Sequence, residues 1–173
     1  ALPVLADSDC ALTATASRFH GKADFAARAK EVAALRHACS EAAGDQRKTI
    51  STVLETIRTA LPANTVIASD MTQIAYTANE VMAVDQPACY LHPVGFGTLG
   101  YALPAAIGAR AGVLDQPVVA MAGDYGFQYT CNELGTAAEM GKPLLVLLWN
   151  NDALGQIRDD MVNKGIQPNA VTL

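Results

Sequence analysis

Two short runs without a charged residue constrain this chain most: Gln116-Pro117-Val118-Val119-Ala120-Met121-Ala122 and Leu144-Leu145-Val146-Leu147-Leu148-Trp149. Runs of this length and composition read as strands buried on both faces, as in parallel sheets covered by helices. Gly123-Asp124-Tyr125-Gly126 follows the first run as turn residues, and the segment from about Thr130 to Met140 reads as a helix. Gly141-Lys142-Pro143 stops that helix. Parallel strands joined by a crossover helix end on the same edge of their sheet. Asp124 and the pair Asn150-Asn151 therefore converge at the carboxyl edge, where open α/β sheets bind ligands. A carboxylate and an amide oxygen beside a helix start suit a hard divalent cation that holds a phosphate group.

The rest of the chain repeats this rhythm. Ile50, Val53, Leu54, Ile57 and Leu61 form one apolar helical stripe that Pro62 ends. Thr65-Val66-Ile67-Ala68-Ser69 reads as a strand with Asp70-Met71-Thr72 at its carboxyl end, and a helix follows from about Gln73 to Met82. Ala88-Cys89-Tyr90-Leu91-His92 is a further strand, leading through a glycine-rich turn to a small-residue helix from Tyr101 to Ala111. Pro104 is tolerated there because it falls in the first turn. A last helix is expected from Gly155 to Val162. Strands alternating with helices predict an α/β fold, a doubly wound parallel sheet with helices on both faces.

Ahead of this domain, Leu2-Pro3-Val4-Leu5-Ala6 looks like a strand and Cys10 to Phe19 like a helix, ending at His20-Gly21. Lys22 to Ala43 reads as a second helix, and Gly44-Asp45-Gln46-Arg47-Lys48 as a polar turn. The expected division is a tail of a preceding domain over 1–21, a helical linker over 22–48 and the α/β domain over 49–173. A first residue that is not Met and a loop-like end at Leu173 suggest a piece of a longer chain.

Composition narrows the partners. With a net charge of −5 and no basic patch, nucleic-acid binding is disfavoured. No apolar run is long enough to span a membrane. Cys10, Cys39, Cys89 and Cys131 are scattered without a CxxC pair, which points to buried free thiols in a reducing cytoplasm.

Gly95-x-Gly97-x-x-Gly100 spells a dinucleotide fingerprint after a strand. The acidic residue expected about twenty positions on is ill placed, because Asp115 precedes the next strand and Asp124 lies inside its own glycine turn. A nicotinamide-dependent oxidoreductase and a merely structural glycine turn are the rival readings of this segment.

Gly123-Asp124, a crossover's length and Asn150-Asn151 together resemble the cofactor signature of thiamine-diphosphate-dependent enzymes. The resemblance extends through ELGTAAEMGKPLLVLLWNN and GFGTLGYALPAAIGA to the acetolactate synthase and 2-oxo acid decarboxylase branch, over about Thr49 to Asn163. Within that branch GDYGFQYT and NNDALGQIRDDM are most similar to 5-guanidino-2-oxopentanoate (2-ketoarginine) decarboxylases.

The resemblance implies thiamine diphosphate and Mg²⁺ as cofactors. It makes Asp124 and Asn151 side-chain ligands of the metal, with the Ala153 carbonyl beside them. Thr72 and the backbone of Gly123, Tyr125 and Gly126 correspond to diphosphate contacts. Gly97 and Leu99 correspond to the residues that orient the two rings, with Thr98 between them. Leu154 and Gly155 complete the cofactor-binding set. Gln156 joins Gly97 and Leu99 as a catalytic candidate. Two departures from the pattern stand out: Tyr125 where the family usually has glycine, and Ile157 where some decarboxylases carry an acid. The second favours an acetolactate-synthase-like carboligase as the alternative to a decarboxylase. The family's activating glutamate belongs to a pyrimidine-binding domain on another subunit of a dimer or tetramer, so this chain alone is expected to be inactive on its small-molecule 2-oxo acid.

Overall fold

The computed structural model describes residues 5–18, 24–84, 86–113 and 115–173. They fall into two compact units, Ala1–Ala42 and Ala43–Leu173.

The first unit contains α1 (Ser8–Ala16) and α2 (Phe25–Glu41). Each begins where an aspartate can accept otherwise unpartnered N–H groups of a first turn. Asp7 accepts from Asp9 and Cys10, at 3.0 and 3.3 Å, and Asp24 accepts from Ala27 at 2.9 Å. These caps set the starts, two residues ahead of the expected Cys10 in α1. Neither helix buries a residue. The expected strand lies mostly outside the described residues, and its last members, Leu5 and Ala6, are not in a strand. Phe19 to Lys22 also lie outside the described residues.

The second unit is a four-stranded parallel sheet of β1 (Val66–Ser69), β2 (Tyr90–Leu91), β3 (Val118–Gly123) and β4 (Leu145–Trp149), in the order β2-β1-β3-β4. Because successive strand residues point to opposite faces, the central strands feed two cores. Ile67, Val119 and Met121 meet Ile50 and Leu54 of α3 (Asp45–Ala60) and Ile74, Ala75 and Ala78 of α4 (Gln73–Val81). Val66, Ala68, Val118, Ala120 and Ala122 meet Ala102 and Ala106 of α5 (Ala102–Gly112) on the other face. The small residues of α5 let that helix lie close against the sheet. The doubly wound fold read from the sequence is therefore present. Trp149 packs at the edge of the first core.

Three local expectations are corrected. Asp45 to Lys48 form the first turn of α3 and not a polar turn, with Lys48 N–H already donating to Gly44 C=O. The segment after Gly123 is helical at once: α6 (Asp124–Thr130), a 3₁₀ turn over Cys131–Glu133 and α7 (Leu134–Glu139) replace one helix from Thr130. All four cysteines are free, but only Cys89 is buried, while Cys10, Cys39 and Cys131 are exposed.

The end of β1 is tied to β2 by side chains. Ser69 Oγ lies 2.8 Å from His92 Nδ1 and 3.1 Å from the Tyr90 hydroxyl, and the Tyr90 and His92 rings stack at 6.0 Å. Burial lowers the His92 pKa, against an opposing pull from Asp70. A group that resists protonation in the fold takes up protons more readily when unfolded. Its contribution is therefore present above the unfolded imidazole value of about 6.5 and lost as pH falls from there through the lowered folded value. Urea unfolding should show stability declining as pH falls from 7 towards 5.5, and His92→Gln should flatten that decline.

Candidate functional site

Three strand ends build the site. Gly123 pairs with Trp149 in the register of β3 and β4, so Asp124 and Asn151 emerge side by side. The turn after β4 is shaped by its own polar residues. Asn150 Oδ1 accepts from Asp152 N–H at 3.2 Å, and Asp152 takes a left-handed conformation with φ 51°. An aspartate tolerates that conformation better than most residues. The chain then doubles back, so the N–H groups of both Asn151 and Ala153 reach Asp124 Oδ2, each at 3.2 Å. An antiparallel bridge between Ala153 and Thr172 pins the turn. Asn150 is thus the turn-former of the pair, and Asn151 faces the site.

These residues border a cavity of about 230 Å³. It is lined by Thr72, Gly97, Leu99, Gly123, Asp124, Tyr125, Gly126, Asn151, Ala153, Leu154, Gly155 and Gln156 from the set chosen on the sequence. Thr98 is the one chosen residue outside the lining. It is exposed, and its hydroxyl donates to the Leu99 carbonyl at 3.1 Å. Ile157, which stands where some decarboxylases carry an acid, lines the cavity as well.

Sequence reasoning missed Met71, Gln73 and Tyr76, which also line the cavity, and it gave no role to Asp70. The signal was present, since Asp70 ends β1 as Asp124 ends β3. Asp70 is fully buried and accepts from Gly100 and Tyr101 N–H at 3.1 Å each and from Met71 N–H at 3.3 Å. Burial raises its pKa, while those N–H groups pull it down. Its carboxylate anchors the turn that carries Gly97 and Leu99. Tyr76 has its pKa raised by burial first and by Asp70 and Asp160 after that.

The donor set fits a cation bound together with a phosphate. Asp124 is 8% exposed, and among the described residues Oδ1 accepts only from Tyr125 N–H, at 2.9 Å, while Oδ2 accepts two N–H groups. A carboxylate has about four acceptor positions, so Oδ1 retains one towards the cavity. Asn151 spends its NH₂ on Gln73 Oε1 at 2.9 Å, leaving its carbonyl oxygen for a ligand. Among the described residues no cluster of three His, Cys, Asp or Glu could hold a metal alone. One carboxylate and one amide suit Mg²⁺, which keeps much of its shell for phosphate oxygens and water.

The glycine pattern also sorts itself. Gly97 and Gly100 have positive φ, at 73° and 83°, while Gly95 has ordinary backbone and open space around it. A dinucleotide fingerprint needs all three. Gly126, next to the unexpected Tyr125, is required for another reason: a Cβ there would land on the Asp70 carboxylate.

A model of the C-terminal TPP binding domain of thiamine pyrophosphate enzymes matches residues 70–172. A probable 2-ketoarginine decarboxylase of Pseudomonas aeruginosa is 49% identical over 146 residues, covering 84% of this chain and 26% of that protein. The acetolactate synthase large subunit of Corynebacterium glutamicum is 39% identical over 106 residues, 61% of this chain and 17% of its own length. Among solved structures, the thiamine diphosphate-dependent 4-hydroxybenzoylformate decarboxylase of Rhodococcus jostii superposes with a TM-score of 0.64 at 25% identity, over 71% of this chain and 23% of its own. The chain thus spans about a quarter or less of the length of these relatives.

Gly126→Ala should lower stability by about 1–3 kcal/mol, the usual cost of overpacking. Thermal unfolding in an Asp70→Ala background should show a smaller cost for the same change, because the clashing carboxylate is gone.

Proposed function

Since the chain belongs to the thiamine pyrophosphate enzymes through their C-terminal TPP binding domain, we propose that it anchors thiamine diphosphate and Mg²⁺ in an enzyme that decarboxylates a 2-oxo acid. The observation that carries this reading is the meeting of Asp124 and Asn151 in one cavity, built by the β3–β4 register.

In the proposal Asp124, Asn151 and the Ala153 carbonyl hold the metal. Thr72 and the backbone of Gly123, Tyr125 and Gly126 receive the diphosphate. Thr72 starts α4 without using its hydroxyl as a cap, which leaves that hydroxyl for a ligand. Gly97 and Leu99 lie against the rings, held by the Asp70 clamp on Gly100 and Tyr101. Leu154, Gly155 and Gln156 close the cavity from the side of α8 (Gly155–Asn163). When bound, the cofactor supplies a carbon nucleophile and an electron sink for loss of carbon dioxide. This chain's residues orient it and limit water around it.

The whole enzyme's substrate is part of the proposal. The relative named as a 2-ketoarginine decarboxylase supports 5-guanidino-2-oxopentanoate. A second reading, an acetolactate-synthase-type carboligase, draws support from Ile157 on the cavity wall and from the acetolactate synthase relative. Asp124 is the one carboxylate among the described lining residues, which supports an activating carboxylate from the pyrimidine-binding domain of another subunit. The proposal accordingly includes a dimer or tetramer, and it keeps a tail over 1–21, a helical linker from 22 and the α/β domain to 173, with the last boundary ahead of α3. Among the described residues no helix is long and apolar enough to cross a membrane, and free cysteines support a cytoplasmic location.

Carbon dioxide release by the full-length enzyme, measured across pyruvate, branched-chain 2-oxo acids and 5-guanidino-2-oxopentanoate, tests the reading. Release should require both thiamine diphosphate and Mg²⁺, and Asp124→Ala should abolish it. An aldehyde product marks a decarboxylase and a ligated 2-hydroxy-3-oxo acid a carboligase. Activity that needs a nicotinamide cofactor and ignores thiamine diphosphate would sink the proposal.

A further inference from the structure

Behind Asn151, side chains from two helices continue a chain of hydrogen bonds. Asn151 Nδ2 donates to Gln73 Oε1 at 2.9 Å, and Gln73 Nε2 donates to Asp159 Oδ2 at 3.3 Å. The other oxygen of Asp159 accepts from Arg158 Nε at 3.2 Å. Gln73 itself is 8% exposed, and its backbone carbonyl accepts from the Thr77 hydroxyl at 3.2 Å. The chain runs from the end of β4 through α4 to α8.

A side-chain amide is nearly symmetric in shape, so either its oxygen or its NH₂ can point a given way, and its neighbours decide. An ionised carboxylate can only accept. Asp159 therefore obliges Gln73 to present its NH₂ to α8 and its oxygen to Asn151. That oxygen in turn obliges Asn151 to turn its NH₂ inward and its Oδ1 towards the cavity. Without this constraint Asn151 could aim an NH₂ at a cation, where it would repel. Space for the bridge is also provided. A Cβ on Gly155 would come within 2.5 Å of Asn151 Nδ2 and 3.0 Å of Gln73 Oε1.

Resting on the metal-anchoring role given above, we propose that Gln73 and Asp159 are positioning residues that lock the Asn151 amide with its oxygen towards the metal. The polarity of the relay, and not merely its bulk, is what matters. Partners that orient a metal ligand commonly influence affinity about 10- to 100-fold.

The test is binding of Mn²⁺, as a probe of the Mg²⁺ site, to the full-length enzyme saturated with thiamine diphosphate, followed by the Mn²⁺ paramagnetic resonance signal. Gln73→Leu should weaken binding by about 10- to 100-fold. Asp159→Asn, at a partly exposed position, should weaken it less, because the new amide no longer dictates a direction. Combining Gln73→Glu with Asp159→Asn should restore binding close to wild type. The new carboxylate at 73 accepts both from Asn151 and from the new amide at 159, so the direction of the relay survives although both its members have changed.

Wild-type affinity in Gln73→Leu and Asp159→Asn, with Asp124→Ala still abolishing binding, would overturn the relay and leave the metal site intact. A double variant no better than Asp159→Asn would also overturn it, by reducing both residues to packing. Should Gln73→Leu not fold, the other two variants decide by the same criteria. Failure of the wild-type enzyme to bind Mn²⁺ with thiamine diphosphate would overturn the anchoring role and the relay together.

Discussion

The site depends on one register. Pairing Gly123 with Trp149 brings the first residue after β3 and the second after β4 to a common edge. The backbone then completes the junction, with Asn151 and Ala153 N–H groups converging on Asp124 Oδ2. A slip of one residue would turn every side chain of β4 to the opposite face and separate the carboxylate from the amide. The two cores on either side of the sheet hold that register, since alternate residues of β3 are buried against α3 and α4 on one face and against α5 on the other.

Two aspartates at neighbouring strand ends meet different fates. Asp70 is sealed in and spends its oxygens on the backbone of the Gly97–Tyr101 turn and on Met71. Asp124 opens on the cavity with an acceptor position to spare. The first shapes the wall and the second offers a ligand. Gly126 passes so close to Asp70 that only a hydrogen fits, so the two strand ends must be built together. This also explains how Tyr125 is accommodated. The α6 helix starts directly at Asp124, and Tyr125 takes its place in the lining without displacing Gly126.

Much of this was legible in the sequence because apolar runs and their spacing dictate strands, and strands dictate an edge. β1, β3 and β4 fall where Val66–Ser69, Val118–Ala122 and Leu145–Trp149 say they must. Other parts depend on tertiary partners that no local pattern announces. Asp45 to Lys48 are polar enough for a turn, yet they extend α3, whose apolar stripe already supplies the packing. Gln73 looks like any first-turn helix residue until Asn151 and Asp159 arrive from positions far along the chain. Asp70 gave a weak signal, a carboxylate at a strand end, but its three backbone donors come partly from a loop thirty residues away. Thr98 lies between two lining residues, Gly97 and Leu99, yet it is exposed and its hydroxyl is bonded to the Leu99 carbonyl, a local arrangement that no sequence pattern announces.

The central claim is that the strand ends carrying Asp124 and Asn151 hold a cation and, through it, a diphosphate. Crystals of the full-length enzyme grown with thiamine diphosphate and Mn²⁺ test it most directly, through the anomalous signal of the metal. The account predicts one peak within about 2.2 Å of both an Asp124 carboxylate oxygen and Asn151 Oδ1, with the Ala153 carbonyl, diphosphate oxygens and water completing the shell. A metal bound elsewhere, or a diphosphate lying on the Gly95–Gly100 turn away from Asp124, would contradict it.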